Sequence, residues 1–356
     1  MKVLSVVGAR PQFVKASVVS RILRNTHEEI LVHTGQHYSD ALSKIFFDEL
    51  AIPTPTYNLG VGSDTHGRQT AAMLKGLEEI LLEESPDIVL LYGDTNSTLA
   101  GAIAAAKLEV TIAHVEAGLR SYNRSMPEEI NRILTDHVSD LLFVPSKSAE
   151  EILAQEGITT GVHVVGDVGY DAICWARGRA SEQSDVLDQL ALEESTYILS
   201  TVHRAENTDN PDRLESIFES LANTPQRVVL PIHPRTQRVL REYDLWEAAN
   251  RELEIIDPVG YLDFVRLLDS AERVATDSGG VQKEAFYLET PCVTLRDETE
   301  WRETVDCGWN RLVGADRRAI SEALRTVSWP QSVPTIYGDG HTAEKIINVL
   351  ETEFNS

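Results

Sequence analysis

Short apolar runs alternate with longer amphipathic segments along most of this 356-residue chain. The apolar runs are rich in Val, Ile and Leu and are bounded by turn residues, which is typical of buried β-strands. In the first half of the chain the predicted strands are residues 2–7, 30–33, 88–92, 110–115 and 141–144. The predicted helices between them are residues 12–24, 39–50, 64–84 and 96–107. Strands and helices in regular alternation predict a parallel sheet covered by helices on both faces.

The same alternation returns in the second half of the chain. There the predicted strands are residues 197–202, 227–232, 253–256, 273–276 and 292–295. The polar segment 178–195 separates the two series and is the best linker candidate. The pattern therefore predicts two doubly wound α/β domains, residues 1–177 and 196–337, with a ligand cleft between them. The last segment, 338–356, contains a helical pattern that is a candidate to pack back on the first domain.

Acidic residues strongly outnumber basic ones, with 56 Asp and Glu against 32 Lys and Arg and a net charge of −24. They are spread over the helical patterns, which predicts a solvated acidic surface. A field of this sign repels nucleic acid and anionic lipid, so we expect neither as a partner. Because high salt screens the repulsion between like charges, the composition also favours adaptation to high salt.

The apolar content of 42% suffices for two hydrophobic cores. No stretch reaches the ~20 apolar residues that a membrane-spanning helix needs, so we expect a cytoplasmic protein without a membrane partner. The three cysteines, Cys174, Cys292 and Cys307, are far apart and lack C-x-x-C spacing. We interpret them as buried small apolar residues in a reducing compartment, and the Cys and His spacing indicates no metal site.

Two turns are candidate phosphate sites because each follows a strand and opens a helix. The first is Gly8–Gln12, where Arg10 and Lys15 place two cations near a helix start. It lacks the G-x-G-x-x-G spacing of dinucleotide-binding proteins, and an ordinary strand-to-helix turn with surface cations is the alternative.

The second turn is Asp277-Ser278-Gly279-Gly280, where two glycines let backbone N–H groups approach a diphosphate and Ser278 supplies a hydroxyl. Glu284, one turn further, is a candidate to accept hydrogen bonds from a ribose. A plain glycine-rich turn is the alternative here.

His203 and Arg204 end another predicted strand, with Glu206 and Asn207 close behind. A His beside an Arg at this position can supply a proton and a positive charge for a leaving phosphate. A structural His is the alternative, which the neighbouring polar residues make less convincing.

Carboxylates are concentrated between residues 94 and 132. Asp94 and Glu116 each follow an apolar run, whereas Glu128 and Glu129 open a helical pattern. Carboxylates at the ligand edge of an α/β sheet indicate acid–base catalysis. The alternative makes Asp94 a helix cap and Glu128 a first-turn charge that complements the helix dipole. Capping alone does not explain the accompanying polar residues Arg120, Arg124, Asn131 and Arg132.

Nine ordered motifs resemble the non-hydrolysing UDP-N-acetylglucosamine 2-epimerase family: GARPQFVK, TGQH, GRQT, GDTNST, HVEAGLR, PEEINR, HRAEN, IHPR and DSGGVQKEA. They extend from residue 8 to about residue 289. The resemblance implies a GT-B fold, in which two Rossmann-like domains hold a sugar nucleotide in the interdomain cleft. It implies interconversion of UDP-GlcNAc and UDP-ManNAc without NAD, metal or another cofactor. The implied route eliminates UDP to leave 2-acetamidoglucal and re-adds it with C2 inverted. A homodimer is also implied.

The motif positions imply roles for individual residues. The implied catalytic residues are Asp94, Glu116, Glu128 and His203. The implied UDP-sugar contacts are Arg10, Lys15, Arg204, Ser278, Gly279, Gly280 and Glu284. Bacterial relatives bind a second UDP-GlcNAc as an activator, and the corresponding positions are Gln36, His37, Arg68, Gln69 and His233. Taken alone, the motifs around Gln36 and Arg68 are typical of caps or turns. The chain departs from the bacterial activator pattern at Tyr38 and Ser39.

Three other functions fit parts of this pattern. A 2-epimerase with another substrate, such as UDP-2,3-diacetamido-glucuronate, uses the same chemistry. A GT-B glycosyltransferase shares the expected diphosphate site but does not need three carboxylates around C2. A non-catalytic sensor of nucleotide sugars is expected to lack Asp94, Glu116 or His203, and all three are present.

Overall fold

The computed structural model describes residues 1–36, 52–325 and 328–354, with Arg10 described by its backbone alone. The described chain forms two compact units, Met1–Ala172 with Thr335–Ser356, and Ile173–Pro334. The sequence pattern predicts limits at residues 177, 196 and 337 instead.

The first unit is built on a parallel sheet of seven strands among the described residues, in the order β3-β2-β1-β4-β5-β6-β7. The strands are β1 (Lys2–Val7), β2 (Glu28–His33), β3 (Tyr57–Asn58), β4 (Ile88–Tyr92), β5 (Thr111–Val115), β6 (Leu141–Val144) and β7 (Val162–Val164). The described helices along this part are α1 (Arg10–Thr26), α2 (His66–Glu84), α3 (Asn96–Lys107), α4 (Pro127–Val138), α5 (Lys147–Gln155) and α6 (Val168–Gln183). Every residue of β4 is buried, because a parallel sheet is covered by helices on both faces.

The second unit repeats this architecture, and its described part has six parallel strands in the order β10-β9-β8-β11-β12-β13. The strands are β8 (Tyr197–Thr201), β9 (Arg227–Pro231), β10 (Glu254–Ile256), β11 (Arg273–Thr276), β12 (Cys292–Thr294) and β13 (Asn310–Leu312). Its described helices are α7 (Val186–Gln189), α8 (Ala205–Thr208), α9 (Pro211–Ala222), α10 (Pro234–Glu242), α11 (Trp246–Glu252), α12 (Tyr261–Ser270), α13 (Gly279–Tyr287), α14 (Arg302–Asp306) and α15 (Arg317–Arg325).

All ten predicted strands are present, each with limits within two residues of the prediction. The prediction missed β3, β7 and β13, which are two or three residues long and lie at sheet edges, where the apolar signal is weakest. The predicted helix 39–50 lies outside the described residues. The segment 178–195, predicted as a linker, contains the end of α6 and all of α7.

The C-terminal helix α16 (Thr342–Phe354) belongs to the first unit and packs on α1. The buried Asp171 carboxylate accepts a hydrogen bond of 2.7 Å from the Ala343 N–H at its start. Gly166 adopts φ +102°, and a Cβ there would lie 2.9 Å from the Tyr337 carbonyl oxygen. This approach therefore requires a glycine. Within the described ranges, no helix is both long enough and apolar enough to span a membrane.

Candidate active site

The candidate site residues follow strands at the point where each sheet reverses its strand order. In the first sheet β1 and β4 are neighbours, and their connections lead to β2 and β5, in opposite directions along the sheet. In the second sheet β8 and β11 have the same relation. Doubly wound sheets bind ligands beyond the carboxyl ends of such strands. Lys15 and Asp94 lie in the connections that follow β1 and β4, and His203 and Asp277 in those that follow β8 and β11.

Glu116, beyond the end of β5, forms an ion pair with Lys15 of α1. Both side chains are mostly buried, so the attraction between them is screened less than at the surface. Glu116 adopts φ +73°, a left-handed conformation that is uncommon for a side chain other than glycine. Unusual backbone conformations of this kind cluster at active sites. The left-handed backbone and the ion pair with Lys15 together fix the position of the Glu116 carboxylate.

Asp94, beyond the end of β4, forms an ion pair with Arg132 of α4. Burial raises the pKa of Asp94 above its ordinary value, Arg132 opposes this rise, and the negative charge of Glu116 adds to it. The interpretation of Asp94 as a helix cap is wrong, because Thr95 caps α3 by accepting a hydrogen bond from the Thr98 N–H. The Asp94 side chain is instead one-third exposed, so a ligand can reach it. A carboxylate with a charged partner and a raised pKa is typical of groups that exchange protons.

The two glutamates that open α4 have different environments. Glu129 is buried, and its carboxylate accepts hydrogen bonds from the Ser121 N–H at 2.8 Å, the Ser121 hydroxyl at 2.9 Å and the Tyr122 N–H at 2.8 Å. Although burial opposes it, these bonds hold the pKa of Glu129 below its ordinary value. Glu129 therefore orders the loop before α4. Glu128 is exposed, and its negative charge contributes to the raised pKa of Asp94.

The Gly8–Gln12 turn differs from the predicted phosphate site. The Gln12 side-chain oxygen accepts hydrogen bonds from the Gly8 N–H at 2.8 Å and the Ala9 N–H at 3.0 Å. These backbone donors are already satisfied within the protein. A Cβ at Gly8 would collide with the hydroxyls of Thr34 and Ser97, so this glycine provides close packing. Lys15 is the described cation of this turn, and it is paired with Glu116.

In the second unit, Asp277 organises the residues that follow β8. Its fully buried carboxylate accepts hydrogen bonds from the His203 N–H at 3.0 Å, the Arg204 N–H at 3.0 Å and the Asn207 amide at 3.1 Å. The His203 ring Nδ1 lies 3.5 Å from the same carboxylate. Sequence reasoning included Asp277 in a glycine-rich turn but assigned it no role. Asp277, which directly follows β11, connects the end of that strand to the end of β8 through these hydrogen bonds.

The surroundings of His203 favour its neutral imidazole form. Burial lowers the pKa of His203 below its ordinary value, and the charge of Asp277 offsets this only in part. The ring of His233 lies 5.6 Å from that of His203, centroid to centroid, and lowers the pKa further. A neutral ring that is partly exposed can accept or relay a proton.

The glycine-rich turn after β11 starts helix α13. The Ser278 hydroxyl caps this helix by accepting a hydrogen bond of 3.4 Å from the Val281 N–H. A Cβ at position 279 would collide with the Glu300 carboxylate, which lies 3.9 Å from the Arg204 guanidinium. Position 280 is open, since the nearest atom to a Cβ there is the Ser278 hydroxyl at 3.9 Å. The turn thus brings Arg204, Ser278 and an open backbone surface together.

A family model for UDP-N-acetylglucosamine 2-epimerase matches residues 21–351. The chain belongs to this family.

Curated relatives of this epimerase match over nearly their whole length. A "UDP-N-acetylglucosamine 2-epimerase homolog" from Methanococcus maripaludis is 52% identical, over 98% of this chain and 99% of that protein. A UDP-2,3-diacetamido-2,3-dideoxy-D-glucuronate 2-epimerase from Pseudomonas aeruginosa is 50% identical with the same coverage. The crystal structure of the Methanocaldococcus jannaschii UDP-GlcNAc 2-epimerase with UDP-GlcNAc and UDP has a TM-score of 0.88 and 44% identity, covering 99% of this chain and 100% of that one. The predicted family and GT-B fold class are confirmed. The cleft between the domains stays a prediction.

The residues predicted to bind an activator in this epimerase belong to both units of the chain. Gln36 accepts hydrogen bonds from the backbone N–H and the hydroxyl of Ser97, and Gln69 accepts one of 2.8 Å from Asn96. Both glutamines therefore contact the start of α3. His233 belongs to the second unit, where it caps α10 by accepting a hydrogen bond from the Arg235 N–H. His37 lies outside the described residues.

Arg68 and Glu284 complete the predicted contacts. Arg68 is exposed, at 4.0 Å from Asp64 on the same surface. The Glu284 carboxylate lies 3.4 Å from the Tyr261 hydroxyl.

Two buried residues near the carboxylates were missed altogether. His114 in β5 and Asp136 in α4 form a hydrogen-bonded pair of 2.7 Å. The one available signal was the polar His within an otherwise apolar strand.

Proposed function

We propose that this protein is a non-hydrolysing UDP-N-acetylglucosamine 2-epimerase that interconverts UDP-GlcNAc and UDP-ManNAc. The observation that most strongly supports this is the grouping of Asp94 and Glu116 at the strand-order reversal of the first sheet, each with its own cationic partner. Inversion at C2 requires removal of a proton from one face and its return on the other, and positioned carboxylates are suited to both steps.

The proposed reaction balances without a co-reactant. A carboxylate removes the C2 proton, the C1–O bond to UDP breaks with its electron pair leaving on UDP, and a C1–C2 double bond forms. The resulting 2-acetamidoglucal then takes a proton at C2 on the opposite face while a UDP oxygen adds to C1. Asp94, Glu116 and Glu128 are the proposed acids and bases. The assignment of each to a face of the sugar is open.

The second unit is proposed to bind the UDP portion. The Ser278 hydroxyl, the open backbone at Gly280 and the Arg204 guanidinium offer hydrogen bonds and positive charge to a diphosphate, and Gly279 is the adjoining residue of the same turn. His203 is proposed to stabilise the departing UDP or to relay its proton, since its neutral ring lies beside Arg204. Lys15 and Arg10 of the first unit stay predicted UDP-sugar contacts on the family resemblance.

A second substrate is favoured by one specific observation. The Pseudomonas relative named for UDP-2,3-diacetamido-2,3-dideoxy-D-glucuronate is 50% identical, which is close to the 52% of the Methanococcus relative named as a UDP-N-acetylglucosamine 2-epimerase homolog. The same elimination and re-addition applies to either sugar. The glycosyltransferase alternative is less favoured because it leaves the carboxylates without a role.

Incubation of the protein with UDP-GlcNAc in D₂O is expected to yield UDP-ManNAc with deuterium at C2. The solvent deuteron enters because the proton removed from C2 exchanges before it returns. Proton NMR of the sugar nucleotide measures both the epimer ratio and the label. A parallel incubation with UDP-2,3-diacetamido-glucuronate distinguishes the two substrates by their kcat/KM. Bound UDP-sugar without exchange at C2 in either incubation would contradict the proposed mechanism.

We also infer that the protein is a homodimer that uses an exposed apolar stripe on α4. Four residues spaced by one helical turn point to this surface, with exposed fractions of 37%, 45%, 45% and 39%: Met126, Ile130, Leu134 and Val138. Soluble monomers rarely expose a continuous apolar surface, and such a surface is typical of a protein interface. The same face would meet its copy across a twofold axis.

Substitution of Ile130 and Leu134 by Glu is expected to halve the mass in solution to the 39.5 kDa of one chain. Burying four carboxylates in one symmetric interface costs far more than a contact of this size contributes. Light scattering coupled to gel filtration measures the mass. Leu312→Glu, at an exposed apolar position of the second unit, is the matched control and is expected to stay dimeric. An unchanged mass in the double variant would place the interface elsewhere.

A further inference from the structure

A fully buried pair, His114 and Asp136, lies beneath the carboxylate loops of the first unit. The His114 Nδ1 atom lies 2.7 Å from one Asp136 carboxylate oxygen, and its Nε2 atom lies 2.7 Å from the Gly93 carbonyl oxygen. Both ring nitrogens therefore face acceptors. The rigid His114 ring therefore connects the Gly93 carbonyl to the Asp136 carboxylate.

The second Asp136 oxygen contacts the other loop. It accepts a hydrogen bond of 3.1 Å from the Gly118 N–H and one of 2.7 Å from the Arg120 guanidinium. The Arg120 side chain is almost fully buried and also binds Glu156, at 2.7 Å. Burial by itself would raise the pKa of Asp136, but the hydrogen bonds and charges of His114 and Arg120 hold it below its ordinary value. Asp136 is thus an ionised carboxylate inside the protein.

The two contacted glycines bracket the candidate catalytic residues. Gly93 directly precedes Asp94, and Gly118 follows Glu116 by two residues. Both glycines have left-handed backbones, with φ +62° and +80°. A Cβ at Gly118 would lie 2.6 Å from the Ala149 carbonyl oxygen, so the loop has no room to shift in that direction. The Gly93 N–H also donates to the Val115 carbonyl at 3.0 Å, which ties the loops to each other.

We propose that His114 and Asp136 are positioning residues that hold Asp94 and Glu116 in their relative places for proton transfer at C2. This inference depends on the proposed function for its chemistry and on the buried contacts for its geometry. His114 and Asp136 have no access to a ligand, so they act through the peptides of Gly93 and Gly118. A carboxylate displaced by about 1 Å from its reactive position loses on the order of 10²-fold in rate.

The test compares Asp136→Ala and Asp136→Asn with the wild-type enzyme. Asp136→Ala is expected to lower kcat by about 10²-fold with KM within about 3-fold, because the loops lose their common anchor. Asp136→Asn is expected to recover kcat to within about 10-fold of wild type. Its amide oxygen can accept from the Gly118 N–H, and its amide N–H can donate to His114 Nδ1 while the proton on His114 Nε2 donates to the Gly93 carbonyl. Asp171→Asn is the matched control, because Asp171 is also buried in the first unit and accepts a backbone N–H at 2.7 Å. It is expected to keep the wild-type kcat.

Two readouts separate positioning from a general loss of folded protein. The isotope effect on kcat with C2-deuterated substrate is expected to rise in Asp136→Ala, because proton transfer becomes slower relative to other steps. Hydrogen exchange is expected to accelerate at the Gly93 and Gly118 amides and to stay unchanged in the Asp171 control. A fall in kcat that matches only the folded fraction, with unchanged isotope effect and amide exchange, would overturn the inference. Accelerated exchange in a protein whose wild type epimerises no UDP-sugar would instead support the positioning and contradict the proposed function.

Discussion

Asp94→Asn and Glu116→Gln are each expected to lower kcat by about 10²- to 10⁴-fold while UDP affinity stays within a few-fold of wild type. The amides have nearly the shape of the carboxylates but cannot take up a proton at neutral pH. Burial raises the pKa of Asp94 above its ordinary value, which favours its protonated form, and Glu116 is held in place by its ion pair with Lys15. Steady-state kinetics measure kcat, and calorimetric titration measures UDP binding.

Deuterium exchange measured from each epimer separately can assign the two residues. If one carboxylate serves each face of C2, each variant loses exchange from one epimer more than from the other. Glu150→Gln, at an exposed position in the first turn of α5, is the control and is expected to retain full activity. Loss of UDP binding in both variants, in proportion to the loss of kcat, would make Asp94 and Glu116 structural residues.

Asp277→Ala is expected to destabilise the second unit by about 3 kcal/mol and to lower activity strongly. It removes the buried carboxylate that accepts hydrogen bonds from the part-buried N–H groups of His203 and Arg204 and from the buried Asn207 amide. Each donor that loses its partner lowers the free energy of unfolding by about 1–3 kcal/mol. Removal of the buried negative charge offsets part of this loss, because burying a charge is itself unfavourable. The backbone of His203 and Arg204 also loses the contact that holds it at the end of β8. Urea denaturation measures the free energy of unfolding.

Asp297→Ala provides the comparison in the same unit. Asp297 is exposed and pairs with Arg213 at 2.9 Å, a contact worth at most about 1 kcal/mol. Equal stability of Asp277→Ala and wild type would mean that water or rearranged side chains replace the carboxylate, and that Asp277 does not organise this loop.

The places of the candidate residues were predictable, but their partners were not. Apolar periodicity located β1, β4, β5, β8 and β11, and polar residues after a parallel strand must lie at the ligand edge of its sheet. Periodicity carries no information about contacts between side chains far apart in the chain. The sequence could therefore not show that Thr95 caps α3 in place of Asp94, or that Arg132, 38 residues after Asp94, pairs with it. In the same way, periodicity could not show that the Gln12 side chain accepts hydrogen bonds from the N–H groups of Gly8 and Ala9.

The amino-acid sequence by itself determined the two parallel α/β units, the order of their strands along the chain and, through nine motifs, the family. These properties follow from local hydrophobic patterning and turn residues, which act over a few positions. Only the tertiary structure decided which charges are paired, which donors are already occupied and which carboxylate has a raised pKa. Those properties depend on burial and on distances between residues such as His114 and Asp136 or His203 and Asp277, which the fold brings together from separate elements.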